Sequence, residues 1–199
     1  MTPARLAPAG HPSALTASRQ ARRTRIIDAA LSLSRRRTFE QIQVKDVAEE
    51  AEVSLGTVYR YFSSKDHLFA EALVRWVEDL QTNVTRHPLT GSRPVTRLRE
   101  VLHRCVRAFQ GQPNLAKLIT TLTVSSDPFA VEAVARMDAI TSAVFREALV
   151  GLEEQTVRPM VRVVYQVLDG LLRMWSAGRL PIVDVYDTLD EMVELLFRS

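Results

Sequence analysis

Residues 54–65 of this chain, SLGTVYRYFSSK, crowd hydroxyls, two phenols, a guanidinium and an ammonium into twelve positions, with Lys45 nine residues upstream. These groups are hydrogen-bond donors and cations, with no nucleophile set beside a base. Such a set suits phosphate oxygens and the edges of bases. On a helix over 55–62, Leu55, Val58 and Phe62 face inward, and Gly56, Thr57, Tyr59, Arg60 and Tyr61 face outward. Each donor also has a plain reading. Tyr59 and Tyr61 could be half-buried aromatics of an amphipathic helix, and Arg60 and Lys65 ordinary solvated charges.

Catalytic chemistry finds no support. There is no Walker A loop, GxGxxG, GxSxG or HExxH, and His11, His67, His87 and His103 lack ligand spacing. The single cysteine, Cys105, cannot close a bridge within the chain or build a multi-cysteine metal site. No catalytic residue, metal or cofactor is expected, and the chain is not read as an enzyme.

The elements that must position the donors are helical. Ile26, Ala29, Ala30 and Leu33 form one stripe of a helix over 18–37, and Phe39 and Ile42 can plug the break that follows. Short helices are expected at 44–51, on Val47, Ala48 and Ala51, and at 55–62. Glu52-Val53-Ser54 is a tight turn between them, Ala48 is small where the two must approach, and Ser54 stands where an N-cap belongs. Ser63, three residues before Asp66, opens the next helix, to about 85. After a linker at 87–94, helices are expected over 94–110, 114–124, 127–151, 156–178 and 182–197. The expected fold is all-α with about nine helices: a disordered arm at 1–17, a helix-turn-helix domain at 18–64, and a helical body at 65–199.

Composition fits this division. The 199 residues are 46% hydrophobic and 25% charged, as in an ordinary globular protein. Nine Lys/Arg against Asp28 and Glu40 give residues 1–45 a charge of +7. The whole chain carries +3, so the other 154 residues sum to −4. A basic end on a mildly acidic body fits a polyanion partner. Arg22, Arg23 and Arg25 stand open between an arm touching phosphates or the minor groove and solvated charge. No apolar run reaches the roughly 18 residues of a bilayer span, and the first 17 residues lack a signal-peptide core. A cytoplasmic, nucleoid-associated protein with no membrane partner is expected.

The stretch ALSLSRRRTFEQIQVKDVAEEAEVSLGTVYRYFSSKDHLFAEAL, residues 30–73, resembles the TetR family of bacterial transcription regulators. The resemblance implies DNA contacts from Lys45, Ser54, Leu55, Gly56, Thr57, Tyr59, Arg60, Tyr61 and Lys65. Lys45 would reach a base edge or phosphate, Leu55 and Gly56 would lie against the major groove, and Tyr59 would meet a base. Thr57, Arg60, Tyr61 and Lys65 would grip phosphates. Val47, Ala48, Val53, Val58 and Phe62 would be structural. Glu52 and Thr38 stand where the family usually has glycine, and Ser63 where proline is common. A left-handed Glu52 costs roughly 1 kcal/mol. With the tail MWSAGRLPIVDVYDTLDEMVELLF, the chain is most similar to the family's actinobacterial repressors of sterol and lipid catabolism.

In that family the body binds a small-molecule effector and supplies the dimer interface. Here Val163, Val164, Val167, Leu168, Leu171 and Leu172 exceed one helical stripe, which fits two covered faces, one by a second copy of the chain. The alternative is a helix central in its own domain. Candidate pocket residues are Leu102, Val106, Phe109, Leu118, Leu122, Met137, Ile140, Thr141, Val144, Phe145, Tyr165, Leu168 and Trp175, each equally readable as core. His103 and Arg107 could orient an anion or form a surface pair. The expected function is a homodimeric regulator, a repressor released from a palindromic double-stranded DNA operator by a hydrophobic small-molecule effector, including the acyl-CoA type. The contrasting reading is a helical interaction module whose basic end meets a membrane or protein.

Overall fold

The computed structural model describes residues 12–86 and 88–198. Among them run nine α-helices and no strand: α1 (Pro12–Arg36), α2 (Val44–Glu50), α3 (Leu55–Tyr61), α4 (Lys65–Arg86), α5 (Pro94–Gln110), α6 (Pro113–Leu122), α7 (Pro128–Ala148), α8 (Glu154–Ser176) and α9 (Ile182–Leu196). Among the described residues, no helix is long and apolar enough to cross a membrane.

Most boundaries follow the periodicity, and α6 begins one residue earlier than expected, at Pro113. Pro94, Pro113 and Pro128 occupy first-turn positions, where the missing N–H has no intrahelical partner to lose. Asp127 caps α7, accepting from the backbone N–H of Phe129 at 2.8 Å and Ala130 at 3.1 Å. Gly178, just past α8, takes a φ of 70° and ends that helix as glycine does. α1 departs from expectation. It begins at Pro12, not Ser18, so residues 12–17 are helix and not arm. Nothing between Pro12 and Ser18 interrupts a helix once proline sits at its start. The rest of the expected arm, residues 1–11, lies outside the described residues.

α1 packs along α4, α2 on α1, and α3 on α2, while α4 makes its most extensive contact with α7. The α1 stripe of Ile26, Ala29, Ala30 and Leu33 is buried, as are Ile42, Val47, Ala48, Val58 and Phe62. Each large apolar side chain so buried contributes about 1.5–3 kcal/mol. These residues hold the short α2 and α3, which are too brief to be stable alone.

Candidate nucleic-acid interface and cavity

The turn between α2 and α3 fixes their angle. Val53 N–H donates to the Ala48 carbonyl at 2.9 Å and Glu52 N–H to the Glu49 carbonyl at 3.1 Å, a Schellman closure. Glu52 has a φ of 53°, the one positive φ at a non-glycine among the described residues. The expected left-handed cost therefore falls on this residue. Ser54 caps α3 by accepting from Thr57 N–H at 3.2 Å, and the two hydroxyls lie 2.9 Å apart. Gln43 N–H donates to the Asp46 carboxylate at 2.9 Å at the start of α2. That backbone bond and the charge of Arg37 hold the Asp46 carboxyl below its ordinary pKa.

α3 buries Val58 and turns most of itself outward. Leu55 is 43% and Tyr59 53% exposed, and a Cβ at Gly56 would meet nothing within 4 Å. Leu55 was expected to face inward by periodicity, but at the first turn of α3 it projects past the α2 contact. Its surface position agrees with the groove-facing role that the family resemblance implies. Arg60 is exposed, its guanidinium 3.4 Å from the Thr57 hydroxyl, and Lys45 is exposed on α2. Lys45, Leu55, Gly56, Tyr59 and Arg60 thus belong to the exposed α2–α3 surface, with Thr57 half-buried at its edge. Tyr61 does so only in part, because it is half-buried against the core.

Lys65 is engaged within the chain. Its ammonium donates to the Phe39 carbonyl at 2.5 Å and lies 3.9 Å from the centre of the Phe39 ring. Burial lowers its pKa, against the opposing pull of Glu40, Asp66 and Asp46. This cation pins the α1–α2 connection to α4. Arg23 is likewise resolved. It pairs with Glu71 at 2.8 Å and lies 5.4 Å from the Phe62 ring centre, while Arg22 and Arg25 are exposed. The α4 cap also differs from expectation. α4 starts at Lys65, so Ser64 is the cap, accepting from His67 N–H at 3.0 Å.

Ser63 is thereby released for a junction that sequence reasoning missed. Its hydroxyl donates to Asp127 at 3.0 Å, and its N–H donates to His67 Nδ1 at 3.1 Å. Ser125 donates to Asp66 at 2.5 Å. His67 stacks on Phe129, centres 5.2 Å apart, and meets the edge of Phe62. Burial lowers its pKa more than Glu71 and Asp127 raise it. Glu71, 7% exposed, receives both Arg23 from α1 and Arg136 from α7. Burial pushes its carboxyl up, but the two arginines outweigh this and hold it below the ordinary value. Only the i,i+4 spacing of His67 and Glu71 was visible in the sequence.

A mostly apolar cavity lies in the body, bounded by Trp76, Val77 and Leu80 of α4, Cys105 and Phe109 of α5, Ala116, Ile119 and Thr120 of α6, Met137 and Thr141 of α7, and Tyr165, Leu168, Asp169, Leu172 and Arg173 of α8. Its lining of apolar and aromatic side chains with a few polar groups is that of a small-molecule site. Its polar groups come chiefly from α8: Arg173 pairs with Asp169 at 2.7 Å and Tyr165 donates to Asp138. Burial raises the Asp138 pKa, and pushes the Cys105 thiol up to about 12.

Of the expected lining, Phe109, Met137, Thr141, Tyr165 and Leu168 meet this space. Leu102, Val106, Leu118, Leu122, Val144 and Phe145 are buried in the core away from it, and Ile140 and Trp175 pack half-buried against that core. The α4 lining was missed because its apolar stripe looked like helix packing alone. His103 forms a surface pair with Asp190 at 2.8 Å. On α8, Val164, Leu168 and Leu172 face inward, while Val163 is 44% exposed. Val163 and Val167 border a groove with Met192, Leu195 and Leu196 of α9.

Residues 26–72 match the family model described as bacterial regulatory proteins, tetR family, and residues 91–196 match the tetracyclin repressor-like C-terminal domain. The chain is 34% identical over 176 residues to the HTH-type transcriptional repressor KstR of Mycolicibacterium smegmatis, covering 88% of this chain and 86% of that one. It resembles the crystal structure of a TetR transcriptional regulator from Rhodococcus sp. RHA1 at a TM-score of 0.80 and 23% identity, over 92% of this chain and 98% of that one. It also resembles Thermus thermophilus FadR, a repressor solved in complex with lauroyl-CoA, at a TM-score of 0.65 and 23% identity, over 87% and 92% of the two chains.

Proposed function

This chain belongs to the TetR family of bacterial regulatory proteins, and from that premise we propose that it is a homodimeric repressor whose α3 reads a palindromic operator and whose body cavity takes a hydrophobic effector. The observation that carries this is α3 itself. A seven-residue helix that buries Val58 and leaves Leu55, Gly56, Tyr59 and Arg60 uncovered is shaped for a partner. Lys45, Leu55, Gly56 and Tyr59 are assigned to base edges, and Thr57, Arg60 and the edge of Tyr61 to phosphates. Ser54 orients α3 as its cap. The division falls at 64/65, with α1–α3 as the DNA-binding domain and the rest as the effector and dimer domain.

Dimerisation uses the open apolar groove of α8 and α9, joining two helices from each copy. Two half-sites one turn apart then demand two α3 helices at fixed spacing. The effector acts on that spacing. It fills the cavity beside Trp76, Val77 and Leu80 and shifts α4, whose first turn holds the α3 end through the junction at Ser63 and His67. The effector prefers the shifted state, so operator affinity falls.

The test is a gel shift on the promoter of the protein's own operon, with excess non-specific competitor DNA. The wild type should hold the operator, and a Tyr59→Ala, Arg60→Ala double variant should lose about 10- to 100-fold in affinity. Unchanged binding by that variant removes α3 as the reading surface.

A further inference from the structure

We propose that His67 is the positioning residue that fixes the end of α3, that it does so only as a neutral imidazole, and that operator binding therefore weakens in mild acid. This rests on the operator reading above and adds an input to it that needs no effector. His67 lies in the first turn of α4, its side chain 13% exposed. Its Nδ1 accepts from the Ser63 backbone N–H at 3.1 Å. That bond needs the Nδ1 lone pair, so the ring's proton sits on Nε2, which faces Glu71 Oε1 at 3.8 Å. Ser63 directly follows Phe62, the C-cap of α3. The buried Phe62 ring meets the imidazole edge-on, with centres 5.4 Å apart, and Phe129 stacks on it. The imidazole is thus held by α3 and α7 and in turn holds the residue at which the chain leaves α3.

Protonation breaks this arrangement. A second proton goes to Nδ1 and sets one N–H against another. The Ser63 hydroxyl, 3.1 Å from Nδ1, can take the new proton and still donate to Asp127 at 3.0 Å. The Ser63 backbone N–H then loses its acceptor, and two donors cannot stay at 3.1 Å.

The surrounding charges favour the neutral ring. Glu71 of α4 and Asp127 before α7 are the anions that face it, and Arg23 of α1 and Arg136 of α7 the cations. Both arginines already pair with Glu71, and Phe62 of α3 brings no charge. Burial and the arginines outweigh the two carboxylates, so His67 titrates below its ordinary 6.5. Glu71 and Asp127 are both held below their ordinary values and stay ionised in mild acid, so His67 is the member of this junction whose charge changes. The expected sign is distinctive. A new cation ordinarily strengthens binding to DNA, whereas this one weakens it.

Two measurements test this. The first needs no variant: an NMR titration of the His67 imidazole in the wild type, free and bound to the operator fragment that the gel shift identifies. The midpoint should be lower in the complex, because operator binding and protonation oppose each other. Each unit of lowering corresponds to about a tenfold loss of affinity per protomer in acid. An equal or higher midpoint in the complex overturns the proposal. The second is operator affinity from pH 7.5 to 5.5 for the wild type and for His67→Asn, whose side-chain oxygen can accept from the Ser63 N–H and does not titrate. Wild-type affinity should fall at least about threefold, while the variant, referred to its own value at pH 7.5, should stay level or rise. A wild type that holds or gains affinity in acid, or a variant that loses as much as the wild type, overturns the role of His67 and leaves the operator reading standing. A wild type that binds no operator at pH 7.5 overturns both.

Discussion

Replacing Glu71 by glutamine keeps the side-chain shape and removes the charge that joins three helices. The wild-type carboxylate sits on α4, 7% exposed, and receives Arg23 of α1 at 2.8 Å and Arg136 of α7. A hydrogen bond to a charged group contributes about 1.5–3 kcal/mol. Arg23 and Arg136 are 29% and 48% exposed, so both can turn to water and neither is left as a buried unpaired cation. The expected loss for Glu71→Gln is therefore near the lower end, about 2 kcal/mol in total. For a chain of this size that lowers Tm by about 4–8 °C. Circular dichroism at fixed protein concentration measures it, since the proposed dimer would make Tm depend on concentration.

The pH dependence gives the sharper check. The folded carboxyl titrates below its ordinary 4.5, so the unfolded chain takes up this proton more readily than the folded one. Its contribution is complete above 4.5 and is lost as pH falls through the folded value. The gap between wild type and variant should be full at pH 7, narrow as pH falls below 4.5, and close once pH passes the lowered folded value, where the wild-type carboxyl is itself neutralised. A loss under about 0.5 kcal/mol at pH 7 would refute the bridging role. A gap that persists unchanged in acid would refute its electrostatic origin.

Three further outcomes follow from particular residues. Glu52→Gly should stabilise the chain by about 1 kcal/mol, read as a higher urea midpoint, because a φ of 53° costs a side chain that glycine lacks. Arg60→Ala should lower the slope of log affinity against log salt for operator binding by about one, whereas Lys65→Ala should leave that slope unchanged and lower Tm, since its ammonium is engaged by Phe39. Val163→Glu places a charge in the open α8–α9 groove, so sedimentation velocity should find monomers and the operator shift should be lost.

The helices and the exposed face of α3 were legible because their signals are local. The α5 bounds, Pro94–Gln110, follow from a proline, an apolar stripe and a glycine within one short window. The left-handed Glu52 was visible because the turn demands that conformation whatever residue occupies it. What was hidden depends on contacts distant in sequence. Ser63 meets Asp127 across 64 residues, and Lys65 turns to a carbonyl 26 residues away. No periodicity encodes either direction. The cavity was half-seen for the same reason. Met137 and Phe145 have the same apolar character, and only the packing of α4 against α7 leaves space beside one and none beside the other.

Those distant contacts lie where a lever needs its pivot. α4 has 22 residues and spans about 33 Å. Glu71, fastened to α1 and α7, is about 14 Å along the axis from Leu80 at the cavity wall and about 9 Å from Lys65 at the α3 end. With Glu71 held, a rigid α4 moves at its base by about two-thirds of any displacement at Leu80, in the opposite sense. A looser pivot would let the same displacement dissipate as sliding of α4 past α7. Glu71→Gln should therefore need more effector to release the operator, beyond any change in effector affinity, while the unliganded dimer still binds DNA through an untouched α3. A variant that loses stability yet releases the operator at the wild-type effector occupancy would place the pivot elsewhere on α4.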